Sequence, residues 1–228
     1  MNKISSFRRM GIMGGSFNPV HLGHLIIAET ALSQFALDQV VWVPTYQPPH
    51  KSYDLLPFAH RWAMVHQAIA DHPNFIASNL EQKRQTISYA HETWRELQTL
   101  YPNTDWHWII GLDAFHKLPH WQNCGVLAAH CRWLVAPRHP AATEEAHSQQ
   151  IYCQQVEAVF LRQGISIQWD LLRMPQVDIS SSLIRAYCRM GRSLRYLVPE
   201  AVRVYIHTNH LYQNFVSQPA PEINSQLP

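Results

Sequence analysis

A chain of 228 residues, 46% of them hydrophobic, has the length and apolar content of one globular domain with a real core. Its formal net charge is only +2 and it has no block of like charges, so neither a nucleic-acid partner nor a charged tail is expected. The four cysteines, Cys124, Cys131, Cys153 and Cys188, form no Cys-x-x-Cys pair, which argues against a zinc ribbon or a thioredoxin-type site. So few cysteines in a chain of this length fit a reducing, cytoplasmic setting. The basic N-terminus has no apolar stretch behind it to make a signal peptide, and no segment is long and apolar enough for a membrane span.

In chain order, Arg9 to Met13 reads as a strand ended by Gly14-Gly15. Leu22, Leu25, Ile26, Ala28, Leu32 and Phe35 then recur at helical spacing, and Gln39 to Val43 forms a buried strand stopped by Pro44. Strand, helix and strand in so short a span make a βαβ unit and favour a parallel sheet. After a Pro-punctuated loop to Pro57, a helix is expected from Phe58 to Ala70, a brief strand from Asn74 to Ala77, and a helix from Ile87 to Leu100. Trp106 to Ile110 is a strand ending at Gly111. Asp113 to Leu118 and Val126 to Ala129 are helical, and Arg132 to Ala136 is a strand stopped by Pro137. A helix from Thr143 to Arg162 closes at Gly164, followed by a strand from Ile165 to Trp169. Short helices from Ser182 to Arg189, with Gly191 as stop, and from Glu200 to Ile206 complete the fold, and the Pro/Gln/Asn-rich residues 214–228 are expected to be a disordered tail. The sum is a single doubly wound, Rossmann-like α/β domain over residues 1–213, with a parallel central sheet and its site at the carboxyl ends of the strands. The recurring tryptophans alternate with apolar neighbours and read as core.

Two helix beginnings carry the chemistry. In Gly14-Gly15-Ser16-Phe17-Asn18-Pro19-Val20-His21-Leu22-Gly23-His24, the glycines end a strand, and Asn18 and Pro19 read as cap and first residue of the helix. That places His21 and His24, spaced i and i+3, on one face of the first turns, where free amides and the helix dipole favour an anion. No Gly-Lys-Ser/Thr follows, so this is not a Walker loop, and zinc lacks a third ligand. An ordinary glycine turn with two incidental histidines fits the spacing equally well. The second beginning, Asp178-Ile179-Ser180-Ser181-Ser182-Leu183-Ile184-Arg185, puts a serine cluster ahead of an apolar run, with Arg185 one turn in and able to grip a phosphate. Alone it is a capped helix with a surface arginine. Paired with the first, it can clamp a polyphosphate.

Gly15 to His24 resembles the H-x-G-H signature of the nucleotidyltransferases, and Ile179 to Arg185 resembles their I-S-S-T/S-x-I-R partner motif. Pro48-Pro49-His50-Lys51, Arg61 with Met64, Glu81…Arg84…Ser88-Tyr89, Ile109 to Asp113, Trp121, and Leu197 to Glu200 with Tyr205-Ile206 are similar to the bacterial nicotinate mononucleotide adenylyltransferases within that superfamily. The resemblance covers roughly residues 10 to 210. It implies an ATP site built from Gly14, Gly15, Ser16, Phe17, Gly111 and Ile179, with Asp113 at the ribose. His21 and His24 would contact the phosphates, and Ser182 and Arg185 would hold the β- and γ-phosphates. His21, His24 and Arg185 would be the catalytic residues. His50 and Lys51 would lie near the acceptor phosphate, with Ser88 and Tyr89 in the acceptor pocket and Trp121 stacked on the pyridine ring.

The chain departs from the family pattern on the acceptor side. Ala90 stands where relatives have a threonine expected to help bind the nicotinate carboxylate, and Pro44-Thr45-Tyr46 replaces a Pro-Asn-Asn stretch. The resemblance therefore implies adenylyl transfer from ATP to nicotinate mononucleotide in NAD biosynthesis, with nicotinamide mononucleotide or another phosphorylated acceptor as the alternative. A non-catalytic nucleotide sensor on the same fold is a third reading, which intact His21, His24 and Arg185 disfavour. Mg²⁺ would travel with the ATP, since no acidic cluster stands out to hold it. No dedicated metal site is expected, and a homo-oligomer is left open.

Overall fold

The computed structural model describes residues 8–49, 55–138 and 144–213. His50, Lys51 and the tail 214–228 lie outside them. The strands are β1 (Arg8–Gly15), β2 (Gln39–Pro44), β3 (Phe75–Ala77), β4 (Thr104–Gly111), β5 (Cys131–Ala136) and β6 (Gln168–Leu171). They form one six-stranded sheet in the order β3-β2-β1-β4-β5-β6, with every pairing parallel. The four longest strands are apolar runs buried on both faces, as a parallel sheet covered by helices requires.

The helices are α1 (Leu22–Gln34), α2 (Phe58–Ala68), α3 (Leu80–Arg84), α4 (Ala90–Leu100), α5 (Leu112–His116), α6 (Cys124–His130), α7 (Glu144–Leu161), α8 (Ser181–Arg189) and α9 (Glu200–Thr208). Strand alternation divides the core in two. Met10, Ile12, Val41, Trp106, Trp108 and Trp133 pack with residues of α4, α6 and α7. Met13, Val40, Trp42, Ile109 and Leu134 pack with residues of α1, α2, α8 and α9. The sheet is thus doubly wound, as the element pattern predicts.

Differences from the sequence-based expectation are local. The helix expected from Ile87 begins at Ala90, because Ser88 is drawn into hydrogen bonds with the loop after β2. The strand expected from Ile165 starts at Gln168, and α3 was not foreseen: five residues are too few to show a period. Gly164 and Gly191 do follow α7 and α8, both at positive φ (73° and 64°), where a side chain would be strained.

Strand order reverses between β1 and β4, which leaves a crevice beyond their carboxyl ends. In the register that pairs Met13 with Ile109, Gly14-Gly15 and Gly111 close that end of the sheet.

Candidate active site

The first correction concerns the start of α1. Asn18 does not cap it. The cap is His21, in extended conformation (φ −146°, ψ 169°), and Leu22 is the first helical residue. The reason is tertiary. The Asn18 side-chain oxygen accepts from the Leu56 amide (3.4 Å) and the Tyr212 hydroxyl (2.9 Å), and its carbonyl accepts from Arg185. Its polar groups are engaged elsewhere. Back-capping falls instead to His24, whose Nδ1 accepts from the His21 amide at 3.2 Å.

That bond assigns the tautomer. With Nδ1 accepting, a neutral His24 carries its proton on Nε2 and presents it as a donor. The His21 and His24 rings stack with centroids 3.6 Å apart, and Phe17 packs at 76° to His24. Gly23 makes room for this: a Cβ there would lie 3.0 Å from His21 Nδ1. The tight turn leading in is made by Phe17 (φ 44°) rather than by a glycine. The first amides of α1 are less open than expected, because Leu22 N–H already donates to the Leu197 carbonyl at 3.0 Å.

Burial holds both rings neutral. The His21 pKa is pushed down to about 4, and His24 lies well below its usual range, through burial first and the neighbouring His21 charge second. The unfolded chain, with ordinary histidines near 6.5, takes up protons first on acidification. Stability from this pair is therefore complete at neutral pH and is lost as pH falls from about 6.5 toward about 4. At pH 5 the loss from His21 alone amounts to ~2 kcal/mol. Denaturant titrations at pH 7 and pH 5 should show a smaller acid loss in His21→Asn than in the parent chain. Equal losses would mean that His21 titrates normally in the folded state.

The second helix start meets the first directly. Ser180 caps α8, its hydroxyl accepting from Leu183 N–H at 3.1 Å. Ser181 Oγ donates to the Pro19 carbonyl (2.8 Å), and Arg185 Nη1 donates to the Asn18 carbonyl (2.9 Å). Arg185 Nη2 reaches Ser182 Oγ at 3.3 Å, while its Nε, like His21 Nδ1, is buried without a hydrogen-bond partner among the described residues. Ile179 packs against the same core face as Phe17 and Val20. The two motifs, more than 150 residues apart, are therefore in direct contact.

The remaining predicted residues divide. Gly14 and Ser16 are exposed at the end of β1, with Gly15 half-buried. Gly111 precedes α5 with open space where a Cβ would stand, and Asp113 in its first turn is paired with Arg138, just beyond β5. That pair is exposed, so a ligand can displace it at little cost. Trp121 follows a short 3-10 turn (Leu118–His120), half-buried, its ring at 72° to both Trp108 and Trp133. Tyr89 caps α4 beside it in sequence to Ala90. Ser88 also braces the loop after β2, its buried Oγ accepting from the Tyr46 and Gln47 amides at 3.1 Å each. Glu81 braces the same loop, accepting from Tyr46 N–H (3.0 Å) and from Thr93 Oγ1 (2.6 Å). Among the described residues, no group of three or more His, Cys, Asp or Glu side chains could hold a metal ion.

Sequence reasoning overlooked Arg138, Tyr212 and the clamp made by Arg61. Arg61 is 1% exposed, yet its guanidinium donates to the carbonyls of Leu56 (2.9 Å), Ser16 (2.8 Å) and Tyr46 (3.4 Å). Beyond its place in the family resemblance, the clamp's visible signal is a charge on the buried face of α2, in line with Phe58, Met64 and Val65.

The cytidylyltransferase-like family profile matches residues 12–187. Over 205 residues the chain is 46% identical to a probable nicotinate-nucleotide adenylyltransferase of Trichormus variabilis, covering 90% of this chain and 97% of the relative. The chain belongs to the nicotinate-nucleotide adenylyltransferase family. A relative of the same description from Geobacter sulfurreducens is 40% identical over 213 residues, covering 90% of this chain and 98% of the relative. Among solved structures, a nicotinic acid mononucleotide adenylyltransferase of Plasmodium falciparum complexed with NaAD aligns with a TM-score of 0.69, over 90% of this chain and 97% of that one. At 18% identity that likeness is one of fold. The fold it supports is the doubly wound parallel sheet described above, in which the signature histidines open α1 just after β1.

Proposed function

We propose that this chain transfers the adenylyl group of ATP to nicotinate mononucleotide, giving nicotinate adenine dinucleotide and pyrophosphate in NAD biosynthesis. The observation that carries the reading is the junction of the two helix starts, where Arg185 and Ser181 bond to the carbonyls of Asn18 and Pro19, three and two residues before His21. The names of the relatives support the acceptor.

An oxygen of the acceptor 5′-phosphate forms the new bond to the α-phosphorus, and the bond from that phosphorus to the β-bridging oxygen breaks. Pyrophosphate leaves with the bonding electrons. The acceptor is already ionised, so the protein need supply neither nucleophile nor general base, and catalysis reduces to positioning and charge stabilisation. His24 donates through Nε2–H to an α-phosphate oxygen, and His21, stacked upon it, donates alongside. Both act as neutral donors rather than as acids, consistent with their burial. Ser182, Arg185 and the amide end of α8 hold the β- and γ-phosphates. Mg²⁺ would be carried on the triphosphate, where it neutralises charge on the leaving pyrophosphate. Asp113 and Gly111 meet the ribose, His50 and Lys51 the acceptor phosphate, and Trp121 the pyridine ring. The free cysteines support work in the reducing cytoplasm. No described helix is long and apolar enough to cross a membrane.

Purified protein with Mg-ATP and either nicotinate or nicotinamide mononucleotide, with pyrophosphate release followed, tests the reading. The expected result is turnover with the nicotinate compound at the higher kcat/KM. A preference for nicotinamide mononucleotide would trace to Ala90, which brings no hydroxyl to the pocket. Absence of turnover with the nicotinate compound would remove the assignment.

A further inference from the structure

The two chain segments proposed to frame the acceptor, Tyr89–His91 and Trp121–Asn123, are separated by about thirty residues and joined by a side-chain hydrogen bond. Asn123 Nδ2 lies 3.0 Å from His91 Nε2. His91 is 4% exposed in the first turn of α4, directly after Ala90. Burial keeps it below the usual imidazole pKa, so the neutral ring can accept the amide proton at Nε2. Asn123 caps α6 in the left-handed region (φ 53°), a conformation that asparagine tolerates better than most residues. Its backbone is fixed further by Val126 N–H donating to its carbonyl at 3.1 Å. Trp121 is tied into the same short segment, its N–H donating to the Leu118 carbonyl (2.9 Å) and its carbonyl accepting from Cys124 N–H (3.2 Å).

Its position gives this bond its consequence. Ala90 and Trp121 both pack at the margin of one core face, yet the methyl of Ala90 offers no polar atom that could hold Trp121 in register. The packing of Trp121 on Trp108 and Trp133 sets the ring's tilt. It does not set the spacing between that ring and the start of α4, and apolar contact is non-directional. A directional bond between buried partners does set such a spacing.

We propose that His91 and Asn123 act as a positioning pair that fixes the Trp121 ring against the N-terminus of α4, and so sets affinity for the pyridine mononucleotide. The inference rests on the acceptor reading above. The pair touches no reacting atom; it acts through the two segments it joins. Loss of the bond lets the Trp121 segment move relative to Ala90, which weakens acceptor binding and leaves the ATP side, on β1 and α8, untouched.

The test uses the full chain with His91→Leu, which keeps bulk and removes the acceptor nitrogen, and Asn123→Gly, which keeps the backbone conformation and removes the amide. Each is expected to raise KM for nicotinate mononucleotide about three- to tenfold, the range of one lost hydrogen bond, with KM for ATP and kcat within about twofold of the parent. The double variant should be no worse than His91→Leu alone, because that change already removes the bond to Asn123. His91→Gln, whose amide oxygen can still accept from Asn123, should restore the parent KM and serves equally if His91→Leu fails to fold. Unchanged acceptor KM in the single variants, additive losses, parallel rises in both KM values, or no rescue by His91→Gln would each overturn the pair. A parent chain inactive on nicotinate mononucleotide would instead overturn the functional reading, so the two failures are distinguishable.

Discussion

Replacing His24 by alanine should lower kcat by about 10²–10³-fold, the usual cost of losing one preorganised donor to developing charge. The geometry makes this residue the sharper test of the histidine pair. Its Nδ1 is engaged by the His21 amide, so only Nε2–H can face a ligand, and burial keeps the ring uncharged at neutral pH. His21→Ala should follow it within the same range, since the stacked rings work as one surface. KM for ATP should change little in either variant, because the outer phosphates are proposed to rest on α8 and Arg185. Arg185→Ala should behave differently and raise that KM. Stability should fall by about 1 kcal/mol in His24→Ala, from the lost back-cap. Steady-state pyrophosphate release separates these outcomes, and near-normal turnover of His24→Ala would remove the donor role.

Arg61→Met should destabilise the chain by about 3 kcal/mol, a shift of roughly 10 °C in Tm for a domain of this size. Truncation leaves the carbonyls of Leu56, Ser16 and Tyr46 without their donors. A buried polar group left unsatisfied costs on the order of 1–3 kcal/mol, partly offset here by removing a buried charge. Burial lowers the Arg61 pKa only to about 10, so the guanidinium is charged at every pH at which the protein works. Those carbonyls belong to the loop carrying the signature, the loop after β2 and the entry to α2. Activity should therefore fall with stability. Arg61→Lys, with one ammonium in place of a planar fork, should recover only part of either. Chemical denaturation within about 1 kcal/mol of the parent for Arg61→Met would show that the freed carbonyls find water and that the clamp is dispensable.

Much of the fold could be read along the chain because parallel strands buried on both faces are written as continuous apolar runs. Gln39 to Val43, Trp106 to Ile110 and Arg132 to Ala136 all fall within observed strands. Helix ends were harder. Asn18 has the chemistry of a cap, but Leu56, Tyr212 and Arg185 occupy its oxygens, and His21 became the cap instead. Ser88 lies next to acceptor-side residues, yet its hydroxyl turns onto the loop after β2, a partner that no local pattern announces.

Residue order alone carried the local pattern: glycines ending a strand, histidines three apart, serines opening a helix with an arginine one turn in. These depend on neighbours within a few positions, where backbone geometry leaves little choice. Whether the two helix beginnings would meet depended on the strand order, which brings Arg185 to the carbonyl of Asn18 across 167 residues. Tertiary structure also settled the protonation of the histidines. Charge state follows from burial, and burial belongs to the packed fold rather than to any stretch of the chain.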